Sequence, residues 1–230
     1  MNIKQELGKH HKDFQYLTDQ DIQKLQEVSV ARSYKKGQVL FNFGDERSHV
    51  FFLVSGVIKL EKVDDTDTFT YLHFKKAKGL FPHLDLFSDN KYYISAVAHT
   101  DIEIISMPVK VFEEIVSNNN QQLIVNLQEQ SRILQTQILK IQKGTMNNAN
   151  YRVMTTLAIM YSELGEKQYP QGTVIVPCPM TINDIAKSSG TTRETTSTVI
   201  KKLVTAKKIM YSRKHLTFLD AKFFNDTLKN

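Results

Sequence analysis

Residues 180–208 form the segment that most constrains the fold of this chain. Their sequence is M-T-I-N-D-I-A-K-S-S-G-T-T-R-E-T-T-S-T-V-I-K-K-L-V-T-A-K-K. The pattern predicts two short helices joined by a tight turn at Gly190. Side chains that can hydrogen-bond base edges crowd the start of the second helix, and these are Arg193, Glu194, Thr195, Ser197 and Thr198. Because a helix-turn-helix places such side chains in the major groove, the segment predicts sequence-specific binding to double-stranded DNA.

The basic charge of the chain is concentrated around this segment. The 230 residues carry a formal net charge of +6. Residues 1–146 contain 18 basic and 18 acidic residues, whereas residues 147–230 contain 12 basic and 6 acidic residues. Such an excess is typical of a phosphate-binding surface, although a charged face exposed to water has the same composition. Because the excess coincides with the helix-turn-helix, we assign it to DNA binding.

Short β-rich runs separated by turn residues occupy the region from Val28 to Pro108. They are enriched in β-branched and aromatic residues and lie at residues 38–43, 50–54, 57–63, 69–74, 94–98 and 102–107. Their near-regular spacing predicts an antiparallel roll or barrel. A polar helix is predicted before this region, with a Thr18-Asp19 cap signal followed by the packing residues Ile22 and Leu25.

From about Val109 to Lys143 the hydrophobic period becomes helical. With Ile124 at heptad position a, five of the six seam positions are apolar. The seam consists of Ile124, Leu127, Ser131, Leu134, Ile138 and Ile141. We expect this stripe to form a parallel homodimer, because a two-fold operator requires a two-fold protein; packing of the helix on its own domain is the alternative. Gly144 ends the predicted helix, and residues 145–150 are a predicted hinge.

The remaining residues predict a winged helix-turn-helix domain. An amphipathic helix carries Val153, Leu157, Tyr161 and Leu164, and a short strand follows at residues 173–176. After the helix-turn-helix, two β-rich runs at residues 209–211 and 216–219 flank a basic turn and predict a hairpin wing. The chain is therefore predicted to have an α+β fold in three parts. These are a sensor-like roll with its N-terminal helix (1–117), a dimerisation helix with the hinge (118–146), and a DNA-binding domain (147–230).

Two motifs, together with the order of the elements, resemble the Crp/Fnr family of bacterial transcription regulators over essentially the whole chain. The first is K-G-Q-V-L-F-N-F-G-D-E-R-S-H-V-F-F-L-V-S-G-V-I-K-L at residues 36–60. It is similar to the family's cyclic-nucleotide-binding-type β-roll in its glycine spacing and in its F-F-L-V-S-G strand end. The second is G-T-T-R-E-T-T-S-T-V-I-K-K-L at residues 190–203, which is similar to the family pattern G-x-S-R-E-T-x-x-R-x-L-x-x-L.

The resemblance implies roles for individual residues of the helix-turn-helix. Arg193 and Glu194 occupy the family's leading base-contacting positions, where Arg pairs with guanine and Glu accepts from cytosine N4. Thr181 and Thr192 lie where family members contact phosphate or cap a helix. Thr198 departs from the family, because many members carry a second base-contacting Arg at that position. The predicted DNA-contacting set is completed by Thr191, Thr195, Ser197 (which matches the Fnr branch), Lys201, Lys202, Arg213 and Lys214, with Lys207 and Lys208 as further phosphate contacts.

The roll departs from the cyclic-AMP-responsive members of the family at the effector pocket. Those members bind the ribose with a Glu and the cyclic phosphate with an Arg, and the aligned residues here are Leu80 and Tyr92. A buried phosphate without these partners would be poorly satisfied, so we expect no cyclic AMP binding of the usual kind. Four aromatic residues are candidates either for the core of the roll or for the lining of a small-molecule pocket, and they are Tyr71, Phe81, Tyr92 and Tyr93.

The cysteine content argues against a redox cofactor. Cys178 is the single cysteine, which is too few for an intrachain disulfide or for an iron–sulfur cluster of the Fnr type. It is either an inert loop thiol or a redox-sensitive thiol that pairs across a dimer. A haem would need an axial ligand such as His73, His83 or His99, but scattered histidines on short strands are more typical of packing or surface positions. We therefore expect no metal and no cofactor.

The chain lacks sequence signals for a membrane segment or a catalytic site. No apolar run approaches the roughly 20 residues that span a bilayer, and the first residues lack the apolar core of a signal peptide, so we expect a cytoplasmic protein. A Ser-His-Asp order, a metal-spaced His/Cys set and a phosphate-cradling glycine loop do not occur, so we expect no enzyme activity.

The sequence as a whole predicts a homodimeric transcription regulator, an activator that contacts DNA and RNA polymerase. A small-molecule sensor in which DNA binding is secondary is the second hypothesis. The segments L-F-P-H-L-D-L-F at 80–87 and Y-Y-I-S-A-V-A-H-T-D at 92–101 resemble a Gram-positive subgroup that includes regulators of the arginine deiminase pathway. That resemblance implies the control of metabolic genes, with arginine catabolism as the specific expectation.

Overall fold

The computed structural model divides the chain into two compact units. It describes residues 3–63, 70–88, 90–144, 148–168 and 172–229. The first unit combines residues 1–62 with 76–134, and the second combines residues 63–75 with 135–230. The sequence predictions for Phe69 and for residues 145–147 of the hinge lie outside the described residues.

Two short helices and a set of strands make up the N-terminal region. The helices are α1 (Ile3–Glu6) and α2 (Asp19–Val28). The strands are β1 (Val30–Tyr34), β2 (Val39–Phe41), β3 (His49–Ser55), β4 (Val57–Val63), β5 (Thr70–Lys76), β6 (Gly79–Phe81), β7 (Ser95–Ala98) and β8 (Ile102–Pro108). The predicted start of α2 is confirmed, because the Thr18 hydroxyl accepts from the Asp21 N–H while the Asp21 carboxylate accepts from the Thr18 N–H.

The strands form two four-stranded sheets, and the prediction of an antiparallel roll is confirmed. The strand orders are β1-β8-β3-β6 and β2-β7-β4-β5. The ladder between β3 and β8 places Phe52 opposite Ile105. Gly56 joins β3 to β4 with a φ of 83°, and a Cβ there would lie 2.3 Å from the Asp101 carbonyl oxygen. This turn therefore requires a glycine.

Strands β1 and β6 were not predicted from the sequence. The β1 segment V-A-R-S-Y has no apolar side chain buried in the core, so it lacks the alternation that indicates a half-buried strand. Strand β6 is only three residues long and begins at Gly79. Both strands depend on pairing with partners that are distant in sequence, namely β8 and β3.

One apolar core fills the first unit, and the N-terminal segment contributes to it. Phe14 and Leu17 are buried against Phe52 of β3 and Phe112. The rings of Phe14 and Phe52 have centroids 5.4 Å apart. The segment before α2 therefore belongs to the folded roll domain.

The helical region that begins at Val109 contains two helices rather than one. They are α3 (Val109–Ser117) and α4 (Asn120–Gly144). Asn118 donates its side-chain amide to the Glu114 carbonyl and closes α3, whereas Asn119 accepts the Gln122 N–H and opens α4. The break between α3 and α4 lies within two residues of position 118, where the predicted dimerisation helix begins, and two adjacent Asn side chains satisfy the helix ends there. Helix α4 is described as far as Gly144, the predicted end of the helix, and the next three residues lie outside the described part of the chain.

The C-terminal region is a small α+β domain. Its elements are α5 (Ala149–Glu163), β9 (Glu166–Lys167), β10 (Val174–Ile175), α6 (Ile182–Ser189), α7 (Arg193–Thr205), β11 (Ile209–Ser212), β12 (His215–Phe218) and α8 (Ala221–Lys229). The strands form a sheet of order β11-β12-β10-β9. Phe218 and Phe224 pack edge to face with centroids 4.7 Å apart, and Tyr161 packs against both rings. This aromatic cluster joins α5 and α8 to the wing hairpin, as a winged helix-turn-helix requires.

Candidate nucleic-acid interface

Helix α6 begins at a capping box formed by Thr181 and Asp184. The Thr181 hydroxyl accepts from the Asp184 N–H at 3.0 Å, and the Asp184 carboxylate accepts from the Thr181 N–H at 2.9 Å. The hydroxyl also donates to this carboxylate at 2.7 Å. Of the two roles predicted for Thr181, the structure assigns it that of the helix cap.

The turn between α6 and α7 is built by Gly190 and two threonines. Gly190 adopts a φ of 56°, the left-handed conformation that closes a helix most easily with glycine. Thr192 caps α7, because its hydroxyl accepts the Thr195 N–H. Thr191 is half-buried, and its hydroxyl bonds to Ser189 and Thr196. Arg152 of α5 donates to the Gly190 carbonyl at 3.1 Å and ties the turn to the domain.

Helix α7 has one buried face and one exposed face. Val199, Ile200 and Leu203 are buried in the domain together with the fully buried Thr196. The predicted base-contacting side chains of Arg193, Glu194 and Thr198 are exposed. Lys201 and Lys202, one turn beyond Thr198, are exposed as well. The structure therefore places these five members of the predicted set on one exposed surface of α7.

Two side chains on this face have defined hydrogen-bonding states. The pKa of the Glu194 carboxyl lies below its ordinary value, because its own backbone N–H and the Thr192 hydroxyl donate to it. Glu194 is therefore a charged acceptor, as a contact with cytosine N4 requires. The Thr198 hydroxyl donates to the Glu194 carbonyl at 2.9 Å, so its lone pairs face outward and its proton does not.

The wing hairpin presents two cations at a strained turn. Arg213 and Lys214 connect β11 to β12 and have φ values of 49° and 69°. Two consecutive positive φ values are typical of a type I′ turn, which usually contains Asn and Gly. The Lys214 carbonyl accepts the Met180 N–H at 2.7 Å, next to the start of α6. The wing cations therefore lie beside the N-terminus of α6, where phosphates can bind.

The two lysines that follow α7 differ in their environment. Lys207 is exposed and adopts a φ of 53° at the end of the helix, where the Lys208 N–H donates to the Leu203 carbonyl. Lys208 donates its ammonium to Asp220 at 2.6 Å. Lys208 therefore neutralises a carboxylate of its own domain, which argues against its predicted contact with phosphate.

Helix α4 exposes the predicted seam. Its five large apolar side chains are between 53% and 66% exposed, and they are Ile124, Leu127, Leu134, Ile138 and Ile141. Ser131, the sixth seam position, is exposed as well. The buried side chains of α4 are instead the polar Gln122, Asn126 and Glu129, and the half-buried Leu123 packs against the core of the first unit. Packing of the seam on its own domain, the alternative considered from the sequence, is therefore absent from the described residues.

Specific polar contacts hold the inner face of α4. Gln122 accepts the Tyr16 N–H and donates to the Lys12 carbonyl. The Glu129 carboxylate accepts from Lys12 at 2.8 Å and from Arg132 at 2.9 Å. Burial alone would raise the pKa of Glu129, but these two cations outweigh it and hold the pKa well below its usual range.

Two family models match the chain in the order that the fold suggests. The model of the cyclic nucleotide-binding domain matches residues 31–119. The model of the Crp-like helix-turn-helix domain matches residues 151–224. The two matches correspond to the β-roll and to the winged domain.

Curated relatives extend over most of the chain. An HTH-type transcriptional regulator ArcR of Staphylococcus epidermidis (strain ATCC 12228) is 30% identical over 179 residues, which is 75% of this chain and 74% of that protein. The chain belongs to the Crp/Fnr family. A global nitrogen regulator of Nostoc sp. (strain PCC 7120) is 27% identical over 199 residues, covering 82% of this chain and 84% of the regulator. Crp/Fnr proteins are DNA-binding transcription regulators rather than enzymes.

Solved Crp/Fnr structures share the fold. FixK2 from Bradyrhizobium japonicum superposes with a TM-score of 0.73 at 18% identity, covering 87% of this chain and 97% of FixK2. A CRP/FNR family regulator from Thermus thermophilus superposes with a TM-score of 0.63 at 22% identity, covering 87% of this chain and 99% of that one. Among the described residues, no helix combines the length and the apolar content needed to cross a membrane.

Leu80 and Tyr92 are the two positions at which the resemblance implies that cyclic-AMP-responsive members carry their nucleotide-binding residues. Leu80 is fully buried, and its N–H donates to the Asp13 carboxylate at 2.9 Å. Tyr92 stacks on Phe41 with centroids 3.8 Å apart and donates its hydroxyl to the His49 carbonyl at 2.7 Å. Burial raises the pKa of Tyr92 to about 12, so the phenol is neutral. Both side chains are parts of the core.

The four aromatic residues that were candidates for the core or for a pocket differ in their environments. Phe81 is fully buried and stacks on Phe51, so it belongs to the core with Tyr92. Tyr93 is 56% exposed, and the Lys62 ammonium lies 3.3 Å from its ring centroid. Tyr71 is half-buried in the second unit. Phe81 and Tyr92 are therefore core residues, which is one of the two alternatives that the sequence left open, whereas the Tyr93 side chain is exposed.

The thiol of Cys178 lies inside the winged domain. Cys178 is 1% exposed, and its sulfur lies 3.7 Å from the sulfur of Met180. A buried thiol in apolar surroundings has little thiolate character and little access to a second chain. The structure therefore favours the inert interpretation of Cys178 over a disulfide between subunits.

Proposed function

We propose that this Crp/Fnr protein is a homodimer that recognises a pseudo-palindromic operator through α7. The observation that carries the proposal is the pairing of two exposed surfaces, the apolar seam of α4 and the polar face of α7. A row of large apolar side chains on the surface of a helix is typical of a coiled-coil interface. A two-fold dimer presents two α7 helices, which would contact two half-sites one helical turn apart.

The contacts in each half-site fall into two classes. Arg193 and Glu194 contact base edges, with Ser197 and Thr198 beside them on the same face of α7. Lys201, Lys202, Arg213 and Lys214 contact phosphates from the far end of α7 and from the wing. The basic excess of residues 147–230 supports this division, because counterion release from phosphates supplies much of the affinity for DNA.

We further propose that the regulator acts in the cytoplasm as an activator that contacts RNA polymerase and binds DNA without cyclic AMP. The filled positions Leu80 and Tyr92 support the independence from cyclic AMP, since a ribose and a cyclic phosphate would find neither a carboxylate nor a guanidinium there. The segments at 80–87 and 92–101 support arginine catabolism as the regulated process through their resemblance to the Gram-positive subgroup.

Selection of binding sites from random DNA by the full-length protein tests this function. We expect an enriched site with two-fold symmetry, recovered without added nucleotide, and a dimer by sedimentation at the same protein concentration. Genomic matches to the enriched site should lie upstream of arginine catabolic genes, and purified RNA polymerase should transcribe such a promoter more often when the regulator is present. Enrichment of a single unrepeated half-site, or no enrichment at all, would contradict the proposal.

A further inference from the structure

A chain of three hydroxyls crosses the turn between α6 and α7. The Ser189 hydroxyl oxygen lies 2.8 Å from that of Thr191, and the Thr191 oxygen lies 2.9 Å from that of Thr196. Ser189 is 7% exposed and Thr196 is fully buried. The chain therefore links the last residue of the first helix to the first full turn of the second across the interior of the motif.

Both ends of this chain terminate on backbone carbonyls. The Thr196 hydroxyl lies 2.9 Å from the Thr192 carbonyl, and the Ser189 hydroxyl lies 2.8 Å from the Ile185 carbonyl and 3.1 Å from that of Ala186. Three hydroxyls carry only three protons, whereas the chain has two internal links and an acceptor at each end. When both internal links are formed, the three protons point in the same direction along the chain, and one end lacks a hydroxyl donor.

No buried carbonyl is left unpaired by this shortage of one proton. The Thr192 carbonyl also accepts the Thr196 N–H at 3.0 Å, and the Ala186 carbonyl accepts the Thr191 N–H at 3.1 Å. Whichever end lacks a hydroxyl donor is thus still satisfied by the backbone. A fully satisfied buried network favours one geometry over its neighbours, because each alternative geometry leaves a polar group without its partner.

We propose that Ser189, Thr191 and Thr196 are positioning residues that fix the direction of α7 and thereby its discrimination between bases. The proposal rests on the proposed contact of α7 with bases. Arg193 and Ser197 leave the same helical turn that Thr196 anchors, so a rotation of α7 at Thr196 displaces their side chains from base edges. Thr191, predicted from sequence as a DNA contact, acts through this network.

The decisive variant is Thr196→Val, which keeps the shape of the side chain and removes its hydroxyl. Because Thr196 is fully buried, the substitution removes no contact with DNA. We expect the affinity for the selected operator to fall about threefold to tenfold, the magnitude of one net hydrogen bond. The preference for the operator over singly substituted sites should fall by a similar factor. The affinity for random DNA and its salt dependence should be unchanged.

Matched variants separate positioning from stability. Thr227→Val in α8 removes a hydroxyl that donates to the Phe223 carbonyl at 2.8 Å, the same bond within a helix but without a chain. This control should leave base discrimination unchanged, and Thr196→Ser, which keeps the hydroxyl, should discriminate as well as the unaltered protein. Ser189→Ala should reduce discrimination on its own. The double variant with Ser189→Ala and Thr196→Val should lose less discrimination than the two single variants added together.

Three outcomes would overturn the inference. The first is a Thr196→Val protein with a lower melting temperature but normal discrimination. The second is failure of Thr196→Ser to restore discrimination, and the third is additive loss with Ser189→Ala. Ser189→Ala alone decides the matter if Thr196→Val does not fold. If the unaltered protein itself prefers no DNA sequence, the proposed function is wrong. If the unaltered protein and the variants discriminate equally well, only the positioning role is wrong.

Discussion

Three cationic residues of the winged domain have strained backbone conformations. Lys207, Arg213 and Lys214 are exposed cations with positive φ values of 53°, 49° and 69°. A left-handed conformation costs a residue with a Cβ roughly 1–2 kcal/mol, and glycine is the usual occupant. Strained residues that persist often serve a function. Arg213 and Lys214 are among the proposed phosphate contacts, which gives a physical reason for the absence of glycine at these two positions.

Lys214→Gly should therefore separate stability from DNA affinity. We expect the free energy of unfolding to rise by about 0.5–1 kcal/mol, since relief of the positive φ exceeds the added flexibility of glycine in the unfolded chain. Affinity for all DNA sequences should fall by the same factor, and the slope of log affinity against log salt should shrink by about 1. Thermal unfolding and binding titrations at several salt concentrations measure the two effects.

Lys78→Gly is the matched control for the wing variant. Lys78 has a φ of 70° in the first unit and forms an ion pair with Glu6 at 2.7 Å. Its replacement should leave DNA affinity and the salt slope unchanged. A Lys214→Gly protein that keeps full affinity would show that the wing does not contact phosphate.

Arg193→Ala should reduce affinity for the selected operator by about 1–3 kcal/mol and relax discrimination at one base pair. The reason is that the planar guanidinium presents two donors in a fixed geometry that matches both guanine acceptors. Arg193→Lys keeps the charge and should lose the same discrimination while retaining affinity for random DNA. Fluorescence anisotropy with a panel of singly substituted operators provides the measurement. Equal losses on operator and random DNA would instead identify Arg193 as a phosphate contact.

At the scale of elements, helix α4 reverses the usual amphipathic arrangement. Its buried side chains are the polar Gln122, Asn126 and Glu129, and its exposed stripe is apolar. The heptad seam was predictable because its residues recur in consecutive turns of one helix. The polar inner face was not, since its partners are Lys12 and the backbone near Tyr16, more than 100 residues away in sequence.

Leu134→Asp should convert the dimer to a monomer without unfolding the chain. Leu134 is 60% exposed in the single chain, so the variant should change its melting temperature little as a monomer. In a dimer the new carboxylates would lie buried and unpaired opposite each other, which is strongly unfavourable. Sedimentation velocity gives the oligomeric state, and operator binding should weaken because the two half-sites are no longer linked.

Gln121→Asp provides the corresponding control on the same helix. Gln121 is exposed and precedes the seam, so an added charge there should leave both the dimer and operator binding intact. If Leu134→Asp sediments as a dimer, the exposed stripe is not the subunit interface.

Local sequence patterns predicted most helices and strands. The features that were missed depend on contacts between residues that are distant in the sequence or on which side of the chain faces the core. The cap at Thr18, the wing hairpin and the helix-turn-helix were predictable because their signals lie within a few residues. The start of the dimerisation helix near residue 118 was predicted, but the side-chain contacts of Asn118 and Asn119 that separate α3 from α4 were not. The exposed position of Tyr93, beside buried Tyr92, likewise depends on which face of the chain meets the core, and sequence composition does not reveal this.

At the scale of the whole molecule, residues 1–146 and residues 147–230 differ in net charge and in how far they match the functional residues of the family. The first 146 residues have no net charge, and the nucleotide-binding positions of their roll hold Leu80 and Tyr92. The last 84 residues carry the entire positive excess and retain the Arg-Glu-Thr sequence at 193–195. The C-terminal half thus carries the residues for which we propose DNA contacts, whereas in the roll Leu80 and Tyr92 are buried parts of the core.

Cyclic AMP should therefore change neither the stability of the full-length protein nor its affinity for the operator. To enter the roll in the usual orientation, the nucleotide would have to displace Tyr92 from Phe41 and break its bond to the His49 carbonyl. It would gain no charged partner for its phosphate in return. Thermal unfolding in excess cyclic AMP should show no shift, because a ligand that binds only the folded state must raise the melting temperature. If calorimetry instead gave a micromolar dissociation constant for cyclic AMP, and Tyr92→Ala abolished the binding, the aromatic stack would have to open to admit the nucleotide.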